Sequence, residues 1–175
     1  MSIEKVKAYF NQFGMADKIQ EFDVSSATVE LAAQALHCEP CRIAKTLSFN
    51  VDNQAILIVA AGDAKVDNKK YKAYFSTKAK MLTPDEAVSL IGHAVGGVCP
   101  FALLPQVKVY LDESLKRFTT VFPACGSSNS AIELTIPELE KYSNSLAWID
   151  VCKGWGAASP AKPEKDIGGI SQKCC

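Results

Sequence analysis

Hydrophobic positions change their period several times along this chain, and those changes mark out its elements. Ile3, Val6, Phe10 and Phe13 recur at the spacing of one helix face, and Gly14 is placed to stop that helix. Residues 29–36 carry a second helical pattern, with Thr28 positioned to cap its first turn. The period then drops to two: Leu47, Phe49 and Val51 alternate with polar neighbours, as in a half-buried strand. Asp52-Asn53 supplies a turn, and residues 55–60 are apolar on both faces, which predicts a hairpin with a fully buried second strand.

Downstream, residues 67–75 read as a short basic helix. Thr83-Pro84-Asp85-Glu86 is a capping box with proline at the first helical position, opening a helix that stops at Gly92. Strands are expected at 107–111, 119–122 and 131–134. Thr135-Ile136-Pro137-Glu138 then caps a helix to Tyr142, and residues 146–151 form the last strand. From Lys153 the composition shifts to Gly, Ser, Pro and Lys, as in a surface tail. The expected organisation is a single domain over 1–152 and a tail over 153–175, with α+β architecture: a curved sheet carrying helices, not a doubly wound parallel sheet.

Composition narrows the class. At 175 residues, with 48% hydrophobic and 22% charged content, the chain can bury one substantial core and is neither disordered nor repetitive. The uncharged run 87–107 is as long as a membrane span, but Gly92, Gly96, Gly97, Pro100 and Pro105 interrupt it, so a buried loop is expected. The start of the chain shows no basic-then-apolar leader, which favours a cytoplasmic protein with no membrane partner. Seven cysteines at irregular spacing fit reduced, packing thiols. Cys38-Glu-Pro-Cys41 has no second ligand pair of suitable spacing for zinc and follows a helical pattern, unlike a redox motif, so no metal and no cofactor is expected.

Nineteen basic and nineteen acidic side chains cancel, which argues against a uniformly nucleic-acid-binding surface and against DNA as a partner. The distribution is uneven. Residues 65–80 hold six lysines and one acid, interleaved with Tyr71, Tyr74 and Phe75. Such a stretch is either a solvated helix face whose rings enter the core, or a contact for an RNA backbone and its unpaired bases.

Three segments carry candidate chemistry. In Ile43-Ala44-Lys45-Thr46-Leu47 a lysine stands among apolar residues as a strand begins, where its ammonium can face an anionic or carbonyl oxygen. Gly96-Gly97-Val98-Cys99-Pro100-Phe101 permits close backbone approach, and free N–H groups there can receive an oxyanion. Residues 123–130 are a run of small and hydroxyl side chains between two strands. No Walker loop, GxGxxG, HExxH or GxSxG occurs, and His37 and His93 lack a triad context. Any catalysis would therefore rest on positioning and electrostatics.

Taken in order, these segments, with Val59-Ala60-Ala61-Gly62-Asp63, Val109-Tyr110-Leu111-Asp112 and Phe122-Pro123-Ala124-Cys125-Gly126, resemble the YbaK/EbsC family of aminoacyl-tRNA deacylases, related to the editing domain of prolyl-tRNA synthetase. The resemblance covers roughly residues 25–150. It implies a mixed, barrel-like sheet of six or seven strands surrounded by helices. It also implies hydrolysis of the ester joining a wrong amino acid to the tRNA 3′ adenosine, with Lys45 and Gly97 as the catalytic positions. By the same resemblance Thr46, Gly96, Val98, Cys99, Pro100, Gly126, Ser127, Asn129 and Ser130 line the substrate site. Lys65, Lys69, Lys70 and Lys72 become the expected contact for the tRNA acceptor end, and prolyl-tRNA synthetase a candidate partner. The family's basic-Gly-acid and His-Pro specificity signatures are replaced here by residues 127–131 and by Phe122-Pro123. A small residue such as Ala, Ser or Cys on tRNA-Pro is the expected substrate; a non-catalytic module binding aminoacyl-tRNA or a synthetase is the alternative.

Overall fold

The computed structural model describes residues 2–156; the expected tail beyond that point, with Cys174-Cys175, lies outside the described residues. Helix α1 (Ser2–Asn11) buries Ile3, Val6 and Phe10, as its spacing dictates. After β1 (Gln20–Glu21), α2 (Val29–Leu36) starts where the Thr28 side chain accepts from the Leu31 N–H, and ends on His37 in the left-handed conformation. The hairpin follows as β2 (Ile43–Val51) and β3 (Gln54–Ala61), joined by Asp52 and Asn53, both at positive φ, the geometry that matches the twist of paired strands. Next come β4 (Lys65–Val66) and α3 (Asn68–Phe75), whose Lys69 and Lys70 amides are taken up by the Asp67 carboxylate.

Both capping boxes form. Thr83 and Glu86 cap α4 (Pro84–Glu86), which runs on as a π-turn over Ala87–Ile91 and ends at Gly92. Strands β5 (Lys108–Asp112), β6 (Thr120–Pro123), β7 (Ser130–Ala131) and β8 (Leu134–Thr135) precede α5 (Ile136–Ser143), capped by Thr135 and Glu138. The described chain closes with β9 (Ala147–Ile149) and β10 (Cys152–Lys153).

Six strands make one curled mixed sheet in the order β8-β6-β2-β3-β5-β9, so the α+β, barrel-like expectation holds. At its centre β3 carries Leu57 to Ala61 with no exposure, which explains the uninterrupted apolar run. Two expected strands are shorter than their sequence pattern. The segment 131–134 splits because Ser130–Ala131 pairs with β1 while Leu134–Thr135 pairs with β6. The segment 146–151 breaks after Ile149, because the Val151 N–H turns to the Asp112 carboxylate and Cys152–Lys153 then pairs with β4. The uncharged run 87–107 folds into the π-turn and loop, with Cys99 and Phe101 fully buried; among the described residues no helix is long and apolar enough to cross a membrane.

The sheet is incomplete at one place. β6 pairs with β2 only at Ile43 and Ala44, and the far end of β2 is covered by the backbone of 80–82, through Asn50 N–H to Lys80 O and Leu82 N–H to Ser48 O. Between them Lys45, Thr46 and Leu47 stand on an open edge. Directly across the sheet, Gly62 ends β3 so tightly against the turn before β2 that a Cβ there would lie 2.0 Å from Pro40 O and 2.8 Å from Val29 Cγ1. Gly62→Ala must displace backbone, and is expected to cost about 1–3 kcal/mol and lower Tm by about 2–12 °C in a thermal melt.

Candidate active site

The open edge of β2 is the floor of a cavity of about 360 Å³. One wall is the Ser26–Val29 turn with Ala32 of α2; the facing walls come from Val95, Gly96 and Val98 of the glycine loop, from Met81-Leu82, and from Phe122, Ala124, Ser130 and Ala131. Small apolar side chains and hydroxyls dominate. Among the described residues Lys45 is the sole charged side chain in the lining, and no Asp, Glu, His or Cys reaches it.

Lys45 is half-buried, and its ammonium donates to the carbonyls of Ala64 and Gly62, the latter at 3.4 Å. Burial pulls its pKa below the ordinary lysine value, against the opposing pull of Cys152 and Asp63; Lys65 pushes it lower still. An ammonium has three N–H donors, so one remains beyond these two carbonyls. The loop that presents them is anchored by Asp63, which forms a two-pronged ion pair with Arg117 at 2.6 and 3.0 Å. Arg117 in turn donates to Ser114 O and lies over the rings of Phe118 and Trp155. Beneath this loop the buried Asp112 carboxylate accepts from the Ser114 and Val151 amides and faces the Cys152 thiol, whose pKa is raised to about 12 by burial first and by Asp112 next.

Five of the sequence-expected site residues meet in the cavity: Lys45, Thr46, Gly96, Val98 and Ser130. The Thr46 Oγ1 is buried without a hydrogen-bond partner, and among the described residues the N–H groups of Gly96 and Val98 are unengaged. Gly97 lies just behind. Its N–H is committed to Ala94 O, and the place of its missing side chain is filled by the backbone of Gly126 and Ser127, 2.7–2.9 Å from a built Cβ. Cys99 and Pro100 point into the core; burial holds the Cys99 thiol up at about 12, and its neighbour His93 is itself fully buried, with Nε2 on Phe101 O.

The hydroxyl run satisfies itself. Ser127 Oγ bonds Ser130 Oγ at 2.7 Å and Asn129 Oδ1 at 3.0 Å, while Asn129 Nδ2 donates to Phe22 O and Ser128 O receives the Ser26 N–H. Gly126, at positive φ, packs against Ser2. Of this run only Ala124 and Ser130 line the cavity. The α2 wall, by contrast, carried no chemical signal: Thr28 reads in sequence only as a cap, although the same cap turns Ser26 to Val29 toward the floor.

The basic stretch divides. Lys65, Lys69 and Lys72 are exposed, whereas Lys70 reaches Asp150 and Cys152 O, each at 3.0 Å. Two of its three rings are turned inward: Tyr71 is fully buried against Phe49 and Phe75, and Phe75 packs on Tyr110, whereas Tyr74 stays exposed at the edge of Tyr110. One expectation on the thiols is corrected. Cys38, Cys99, Cys125 and Cys152 are free, but Cys41 is disulfide-bonded, a state that the spacing of thiols along the chain does not announce. Among the described residues no cluster of His, Cys, Asp and Glu could hold a metal ion.

A sequence model of the aminoacyl-tRNA editing domain matches residues 24–142, the stretch that builds every wall of this cavity. The chain belongs to that family. It is 56% identical over 156 residues to the uncharacterized protein YwhH of Bacillus subtilis (strain 168), spanning 89% of this chain and 99% of that protein. A 90-residue stretch is 30% identical to the proline–tRNA ligase of Lysinibacillus sphaericus (strain C3-41), covering 51% of this chain and only 16% of the ligase. Among solved structures, one described as a candidate trans-editing enzyme for prolyl tRNA synthetase superposes with a TM-score of 0.78 at 28% identity, over 87% of this chain and 98% of that one.

Asp63 raises the pKa of the ammonium it stands beside, so its loss acts in one direction. In Asp63→Asn, Lys45 is expected to titrate at lower pH than in the unaltered protein, read from the Nζ resonance of labelled lysine. Because Arg117 loses its charged acceptor, stability falls by about 1.5–3 kcal/mol in urea titration.

Proposed function

We propose that the protein is a trans-editing deacylase that hydrolyses the ester of mischarged tRNA, with tRNA-Pro carrying Ala, Ser or Cys as its substrate class. The observation that carries this reading is a cavity whose lining, among the described residues, offers one cation, unengaged amides and hydroxyls but no carboxylate, imidazole or thiol to activate them. Peptide or phosphate hydrolysis at neutral pH calls for an activated nucleophile or a metal. An aminoacyl ester is already reactive, and needs chiefly its carbonyl oxygen to be stabilised as charge develops.

In this reading the third N–H of Lys45 and the amides of Gly96 and Val98 receive the carbonyl oxygen. Water adds to the carbonyl carbon, the bond to the ribose oxygen breaks, and the water's proton ends on that oxygen, giving a free amino acid and an unesterified tRNA end. The neighbouring ribose hydroxyl of the substrate orients the water, the part a side-chain base would otherwise take. The Thr46 hydroxyl, buried and unpaired, is the protein's acceptor for the substrate ammonium. Ala27, Ala32, Ala44 and Ala124 leave room beside it, while Phe122 closes the end toward β6. Such walls exclude bulk well and discriminate weakly between side chains differing by one methylene. The proline–tRNA ligases matched by this chain support prolyl-tRNA as the carrier and their enzyme as the partner.

The test is a deacylation screen over mischarged tRNAs, including tRNA-Pro bearing Ala, Ser, Cys and Thr. Lys45→Ala is expected to reduce turnover by about 10²–10³-fold without loss of RNA binding; wild-type rates in that variant, or binding without turnover of any substrate, would overturn the proposal. The active form is the ammonium. Since its pKa lies below the ordinary 10.5, the enzymatic rate above spontaneous hydrolysis should disappear on the alkaline side at a pH below that value.

A further inference from the structure

β4 and β10 are two residues each, and their antiparallel register sets Cys152 opposite Val66 and Lys153 opposite Lys65. Strand alternation then separates two faces. Cys152 is fully buried and approaches Lys45, while Lys65 and Lys153 are both exposed to solvent as direct cross-strand neighbours. Like charges placed directly opposite weaken a sheet, and so short a ladder has little else to hold it.

Among the described residues neither lysine is in an ion pair. The acids close by have other hydrogen-bond partners: Asp150 pairs with Lys70, Asp63 with Arg117, and Asp67 accepts the Lys69 and Lys70 amides, although its carboxylate also feels the Lys153 charge. Position adds a second observation. Lys65 directly follows Ala64, whose carbonyl holds the Lys45 ammonium, so the pair stands one peptide unit from the candidate catalytic lysine. Lys153 lies beyond the stretch 24–142 matched by the editing-domain family, on a strand that this chain brings back to the site.

We infer that Lys65 and Lys153 form a two-cation seat for a backbone phosphate of the RNA acceptor strand, entering the cleft from the Lys45 side. The inference deepens the editing proposal and rests on it for the identity of the RNA. A phosphodiester presents two non-bridging oxygens on one negative charge, a match for two ammoniums across a strand pair, and its arrival removes the repulsion between them. Seating the phosphate next to the esterified adenosine fixes the distance from RNA backbone to scissile carbonyl, so the ester reaches Lys45 in one register.

The experiment measures binding of a tRNA-Pro acceptor-stem hairpin ending in CCA by fluorescence anisotropy across a salt series. The proteins are the unaltered chain, Lys65→Gln, Lys153→Gln, the double variant, and Lys108→Gln as an exposed lysine elsewhere. The double variant loses one phosphate contact and is expected to reduce the slope of log affinity against log salt by about 0.7–0.9, each single variant by part of that, and turnover at saturating substrate falls with it because the ester is no longer held in register. An unaltered slope in the double variant, or an equal loss in Lys108→Gln, would overturn the seat. Failure of the editing proposal looks different: no ester is cleaved by the unaltered protein, while the slope change persists.

Discussion

Everything at this site depends on one costly placement, a lysine ammonium held half out of water against two backbone carbonyls. Burial disfavours its charge, and the surroundings restore enough of it for the group to stay cationic: the Gly62 and Ala64 carbonyls accept its protons, and Asp63 lends an opposing charge. Those carbonyls are available only because the chain at 62 carries no side chain and can lie on the turn at Pro40. The loop keeps its shape because Asp63 is clamped by Arg117, itself pinned between two rings and a carbonyl. Removing any of these leaves a charge, or a carbonyl, without its partner, so the loop and the lysine are held as one unit.

A preorganised cation with no neighbouring base also sets what the cavity is suited to do. Its donors cannot take a proton from water, but they can stand where negative charge appears, without reorganising at the moment it does. The thiols that might have served as nucleophiles are withdrawn: Cys99 and Cys125 are fully buried, and burial moves both pKa values far from neutrality. The same tight packing around Gly97 and Gly126 that buries them brings the two loops together, which defines the cavity's far wall. Exclusion of side-chain chemistry and formation of the wall are therefore one packing event.

Much of this was legible in the sequence because local rules govern it. Thr83 with Glu86 and Thr135 with Glu138 announce helix starts by satisfying their own first amides, and a period of two followed by a fully apolar run announces β2 and β3. Lys45 stood out because a lysine among apolar neighbours at a strand start has few inexpensive places to go. What escaped reading was set by long-range pairing. Ser127 and Asn129 resemble pocket residues in composition, yet their polar atoms are consumed by one another and by residue 22. The capture of Ser130–Ala131 by β1, which splits residues 131–134, and the return of Cys152 to Lys45 depend on partners about a hundred residues away in the chain.

The zero net charge takes on a different meaning once the partners are known. Lys7 with Glu21, Arg42 with Glu133, Lys116 with Glu113, Lys70 with Asp150 and Arg117 with Asp63 cancel locally, and most of these pairs are exposed enough to contribute little stability. Their larger effect is on the shape of the field. By tying acids to cations away from the open edge of β2, they leave that edge with a lysine whose acid neighbour is already shared with Arg117, and with two exposed lysines beside it. A uniformly basic surface would hold RNA in any orientation; a neutral surface with one uncompensated cationic end favours the orientation that delivers an anionic strand to that end. In the proposed editing reaction, where the cavity would supply stabilisation rather than a nucleophile, correct delivery of the ester is the larger part of catalysis, and the charge arrangement would then belong to the same mechanism as the buried lysine.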